Sequence, residues 1–253
     1  MFHRFAALTL LVGLTLSGCT EPLGTGIEPT APGPGRGGQS QSQTLTSISA
    51  SQPLPRSAGR TFAEVVARVE PVAEQHCRTI RPRSNCDFQI VVDDRRNQPP
   101  NAFQTIDEAG RPVIAFTLSL IADARNADEL AFIMAHEAAH HISGHLARQE
   151  ANATLGANVF GRLASSVAGA SPERIRAAQE LGAAIGARSY SQEFELEADA
   201  MGTIITARAG YDPLLGAAFF FRIPDPGDRF LGTHPPNAER VAIVRRTAAQ
   251  LGL

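Results

Sequence analysis

The chain has no excess of charge of either sign: 23 Lys and Arg stand against 25 Asp and Glu, a formal net charge of -2. Without a basic surplus or a basic tract, nucleic acid is excluded as an expected partner, and so is electrostatic adhesion to anionic lipid. Long apolar runs are missing as well. Between residues 147 and 188, rich in Ala and Gly, Arg162, Glu173, Arg174 and Arg176 break each apolar window. None reaches the roughly 20 residues of a membrane-spanning helix. No internal repeat is seen. With 253 residues and 43% hydrophobic content, one substantial core is available, or at most two modest ones.

Cysteine is scarce, at three residues, and the first stands at the end of a distinctive leader. Positive charge in Met1 to Arg4 precedes an apolar stretch from Phe5 to Leu16, followed by Leu16-Ser17-Gly18-Cys19. The stretch is too short for an ordinary membrane span. The pattern resembles a bacterial lipoprotein signal with its lipobox, implying removal of residues 1–18 and lipid on Cys19. Thr20 lacks the Asp associated with inner-membrane retention, so the expected location is the periplasm, anchored to the outer membrane by lipid. Cys77 and Cys86 remain as an even pair in an exported chain and are expected to form a disulfide. Nothing nearby completes a metal set around them.

From Thr20 to about Arg60 the sequence is Gly, Pro, Ser, Thr and Gln with almost no apolar periodicity, so residues 19–60 read as a disordered tether. The folded domain is expected over 61–253. Phe62, Val65, Val66, Val69 and Val72 recur at helical spacing, predicting a helix that ends before Cys77. Phe88 to Val92 reads as a strand, and Asn101 to Ile106 with Val113 to Thr117 as a strand pair around the turn residues Asp107 to Gly110. Residues 147–188 read as two helices packed through small residues, the second starting at Ser171-Pro172. A helix over about Ser191 to Ala209 stops at Gly210. Asp212-Pro213 caps a short helix with Phe219, Phe220 and Phe221, and a last helix carries Val241, Ile243 and Val244. The fold class is α+β, mostly helical, with a small sheet beside the helix described next.

That helix holds His136-Glu137-Ala138-Ala139-His140, an H-E-x-x-H pattern. Residues four apart on a helix share a face, so two imidazoles can bind one zinc ion while Glu137 reaches a water on it. Asn126 suits the N-cap, Glu129 completes a capping box, and Leu130, Ile133 and Met134 offer an apolar face. Catalytic zinc needs a third protein ligand. The metzincin pattern fails, because Leu146 stands where its third His belongs and Ser143 where its Gly does. His145 lies about 900° of helix beyond His136, on the opposite side, and His141 also points away. Both read as surface or packing residues. Glu195 and Asp199 are four apart and share a face, while Glu197 is turned about 200° from Glu195. Glu195 is the expected ligand and Asp199 an acceptor for the outer nitrogen of a ligand histidine.

These motifs, with Asn101-Ala102-Phe103, Gly210-Tyr211-Asp212-Pro213 and Thr233-His234-Pro235, run in an order that resembles the M48-type zinc metallopeptidases. That gluzincin family includes HtpX-like proteins, the CAAX prenyl protease and periplasmic quality-control lipoproteins. The resemblance covers essentially all of 61–253. One departure is Ser191-Gln192, where relatives often carry Ser-Arg. The resemblance implies a gluzincin-like fold, one zinc per chain, and polypeptide substrates among unfolded or misassembled envelope proteins. It places His234 and Arg240 near the metal. His234 is then either an oxyanion donor or a ligand that keeps the enzyme latent. Substrate is expected along an edge strand, Val113 to Thr117. The rival reading is a lipoprotein chaperone or assembly factor for outer-membrane proteins, with zinc latent or structural. Oligomeric state is not read from the sequence.

Overall fold

The computed structural model describes residues 56–95, 97–189, 191–224 and 235–253. The lipobox with Cys19, most of the expected tether, and Thr233 and His234 lie outside the described residues. The first helix, α1 (Arg56–Ile80), takes in the last residues assigned to the tether and runs through Cys77 instead of ending before it. Phe62, Val65, Val69, Ala73 and Cys77 form one buried stripe along it, so the helical period continues for eight residues past Val69. Cys77 is joined to Cys86 by a disulfide, with Cα atoms 5.7 Å apart.

Three strands follow, β1 (Gln89–Asp93), β2 (Ala102–Ile106) and β3 (Pro112–Thr117), in the spatial order β1-β3-β2. β2 and β3 form the expected antiparallel pair, while β1 joins the far side of β3 in parallel. β3 is therefore the central strand, and the expectation of a substrate along Val113 to Thr117 is corrected: both flanks of that strand are already hydrogen-bonded. The edges among the described residues are β1 and β2. Thr117 closes the sheet by capping the short α2 (Leu118–Asp123), where its side chain accepts from the Leu120 N–H.

Helix α3 (Ala127–Ser143) is the hub, touching α1, β2, β3 and two later helices, over Ser191–Arg208 and Pro213–Gly216. Asn126 caps it, its side chain accepting from the Glu129 N–H at 2.8 Å. Glu129 departs from the capping box. Its carboxylate instead accepts from the Arg125 N–H and pairs with Arg222, both at 2.8 Å. Leu130, Phe132, Met134 and Ile142 are all at most 2% exposed. Burying each such side chain stabilises the fold by about 1.5–3 kcal/mol before ordering entropy is subtracted.

Gly144 ends α3 in the left-handed region at φ 69°, where its N–H donates to the carbonyls of His140 and His141. The chain turns there into α4 (His145–Ser165), which pairs with α5 (Pro172–Arg188) as a helical hairpin. Ser171 caps α5 and Pro172 opens it, as the sequence predicts. The two helices meet through glycine: a Cβ on Gly182 would overlap the Gly156 carbonyl, and one on Gly186 the Asn152 carbonyl. Helix α6 (Ser191–Arg208) lies against α3, followed by α7 (Pro213–Gly216), a 3-10 turn (Ala217–Phe221) and α8 (Asn237–Gln250). Among the described residues, no helix is long and apolar enough to cross a membrane.

Candidate metal centre

The crossing of α3 and α6 decides what the motifs can do. At Gly202 the α6 backbone comes so close to α3 that an added Cβ would lie 3.1 Å from the His136 nitrogen. This contact brings Glu195, on the preceding turns of α6, to the face of α3 that carries both motif histidines. The Nε2 atoms of His136 and His140 are 3.0 Å apart. Glu195 places Oε2 3.4 Å from the first and Oε1 3.4 Å from the second. All three ligand atoms fall within 4.8 Å of one another. A tetrahedral zinc ion with bonds of about 2.0–2.1 Å spaces its donors by roughly 3.3 Å, so this set fits such an ion. Two imidazoles and one carboxylate leave a fourth position for water or substrate.

Behind the donors stands a charged layer. Asp199, fully buried, puts Oδ1 2.9 Å from His136 Nδ1, the ring nitrogen turned away from the cluster. Arg240 grips Asp199 with two hydrogen bonds of 2.7 Å, from Nε and Nη2, and reaches Glu195 at 3.3 Å. Its guanidinium lies 3.9 Å over the Phe220 ring. Burial works against charge on His136, yet the hydrogen bonds of Asp199 and Glu195 outweigh it and raise that imidazole to about 10. Burial likewise opposes charge on Asp199, but Arg240 and His136 hold its carboxyl below the usual range. The carboxylates of Glu195 and Asp199 beside the two imidazoles supply the negative charge that a divalent cation at this donor set would meet.

Two residues set aside on helical geometry behave differently from each other. His141 packs away from the site, bonded to the Asn85 carbonyl at 2.7 Å and edge-on to Phe88. His145 does not belong on the surface: it is 4% exposed, with Nδ1 2.8 Å from His140 Nδ1. A straight helix would carry it to the far side, but the turn at Gly144 brings it back. Burial first, then the neighbouring His140, lower its pKa to about 4. Glu197, which faces away from the ligands, meets His145 at 3.2 Å and Arg148 at 2.8 Å. Gly144, just past the basic His140 and His141 of the last turn of α3, was the signal that could have revealed this turn.

The donors open onto a cleft of about 490 Å³. Asn101 to Gln104 of the β2 edge form one wall, Phe219 and Phe220 another, and Glu137 lies in the lining beside the two histidines.

Similarity to known proteins agrees with this geometry. The chain is 35% identical over 140 residues to the "Beta-barrel assembly-enhancing protease" of Escherichia coli O157:H7, a stretch covering 50% of this chain and 28% of that protein. The protein of the same name in Shigella flexneri is 34% identical over 140 residues, with the same coverage of 50% and 28%. The chain thus spans less than a third of the length of these curated relatives. Residues 60–248, which include α3, α6 and the whole donor set, match Peptidase family M48, and the chain belongs to that family of metallopeptidases.

Proposed function

We propose that this chain is a zinc-dependent endopeptidase of the cell envelope, held by lipid on Cys19 in the periplasm, most naturally at the outer membrane. Its proposed substrates are unfolded or misassembled envelope proteins. The observation that carries the reading is the convergence of His136, His140 and Glu195 within 4.8 Å at a cleft that also contains Glu137. His136 and His140 would hold the ion through Nε2 and Glu195 through its carboxylate. Zinc in such a set lowers the pKa of water to about 7 and polarises a scissile carbonyl.

The remaining work falls to the chain. The Glu137 carboxylate takes a proton from the attacking water and returns it to the leaving amine nitrogen, as general base and then general acid. Asp199 holds His136 in one orientation, and Arg240 fixes Asp199. The β2 edge, which pairs with β3 alone among the described strands, runs along the cleft and suits an extended peptide added as a further strand. Recognition through backbone favours unfolded segments over one defined sequence. His234 is assigned either the donor to the developing oxyanion or a latency ligand. His234→Ala separates the two, with activity lost under the first role and raised under the second.

A second reading, a chaperone or assembly factor with a latent or structural zinc, draws support from the relatives' name, which joins a protease to β-barrel assembly. Casein cleavage by wild type, Glu137→Gln and chelated protein discriminates. Cleavage by the wild type, lowered about 10²–10⁴-fold in Glu137→Gln and abolished by chelation, is the expected result. Equal cleavage in all three removes the peptidase mechanism.

A further inference from the structure

Resting on the metal reading above, we infer that His145 is a positioning residue for the ligand His140, through a relay that runs to Glu197 and Arg148. The hydrogen-bond chemistry leaves one arrangement. His140 turns Nε2 toward His136 and Glu195, so a metal ligand there needs the Nε2 lone pair, and its single ring proton must sit on Nδ1. That proton faces His145 Nδ1 at 2.8 Å. His145 Nδ1 must then accept, which places its own proton on Nε2, 3.2 Å from Glu197 Oε2. Glu197, an acceptor when ionised, receives that N–H and the Arg148 guanidinium at 2.8 Å.

Packing fixes the His145 ring in this role. It stacks on Phe194 with centroids 4.5 Å apart and planes within 9°, and Arg148 covers the same phenyl ring at 4.2 Å. The two ligand histidines are thus supported by separate chains of groups, each ending in a carboxylate and an arginine. His136 donates directly to Asp199, which Arg240 holds; His140 donates through a second imidazole to Glu197, which Arg148 holds. His145 and Arg148 both lie on the first turn of α4, so the relay also ties the root of the helical hairpin to the metal ligand.

Outer hydrogen-bond partners of ligand histidines contribute about 10–100-fold to metal affinity. The test is zinc affinity of the full chain in competition with a chromophoric chelator, alongside melting of the metal-free protein. His145→Phe keeps the ring stack but loses the acceptor, and is expected to loosen zinc about 10–100-fold with metal-free melting unchanged. His145→Gln, whose amide can accept from His140 and donate to Glu197, is expected to stay within a few-fold of wild type. Zinc held equally well by His145→Phe and wild type overturns the inference, as does an equal loss in both variants. Nitrogen-15 NMR of the zinc-loaded wild type needs no variant: a protonated His140 Nδ1 coupled to His145 Nδ1 is expected, and an unprotonated one overturns the relay. Failure of the wild type to bind zinc would instead sink the metal reading, and this inference with it.

Discussion

Arg240 is 6% exposed, and its partner Asp199 is fully buried. Replacing Arg240 by Met keeps much of the volume but leaves the Asp199 carboxylate without its paired cation. Breaking a buried pair from one side costs about 3–5 kcal/mol. Arg240→Met is therefore expected to lower stability by that amount in chemical denaturation and to weaken metal binding through His136; stability within error of wild type would contradict it. At this scale the sequence is informative where chemistry follows helical spacing. His136 and His140, and Glu195 and Asp199, stand one turn apart, and each pair shares a face in the fold. It is uninformative where a backbone turn resets the phase. Gly144 at φ 69° ends α3 and returns His145 to the site, so extrapolating a straight helix sends that ring the wrong way. Arg240 could be placed near the metal only by family resemblance, because its partner Asp199 lies two elements away.

At the scale of elements, the metal set depends on how near α6 comes to α3. Gly202 sits 3.1 and 3.2 Å, measured from an added Cβ, from the His136 backbone nitrogen and Cα, and rigid backbone cannot yield as a side-chain tip can. Gly202→Leu is expected to push α6 off α3, carrying Glu195 away from the imidazoles. Zinc affinity should fall by well over tenfold while far-ultraviolet circular dichroism stays helical. Unchanged affinity would mean that the crossing tolerates the added bulk. Caps and breaks were legible because they are local: Ser171-Pro172, Asp212-Pro213 and Gly210 each begin or end a helix where their chemistry directs. Strand order is not local. The parallel pairing of β1 with β3 spans the intervening β2, and turn residues report only the hairpin. One cue was present: Val113-Ile114-Ala115-Phe116 is continuously apolar, as a central strand tends to be, whereas β2 is interrupted by Gln104-Thr105.

Across the whole molecule, one helix connects stability to chemistry. α3 packs against α1 and the sheet through Leu130 and Met134 and presents His136 and His140 to α6, so the core that holds the fold also aligns the donors. Binding that favours only the folded state adds RT ln(1 + [L]/Kd), about 4 kcal/mol at a thousandfold excess over Kd. Zinc removal by a chelator is accordingly expected to lower the melting temperature, and Glu195→Ala to lose most of that zinc dependence. The most direct test of the central claim is zinc K-edge X-ray absorption on the purified full chain, with metal content measured on the same sample. One zinc per chain is predicted, bound by two imidazoles and by oxygen at about 2.0–2.2 Å without sulfur. Sulfur scattering near 2.3 Å, or an all-oxygen shell lacking imidazole, would contradict a site made by His136, His140 and Glu195.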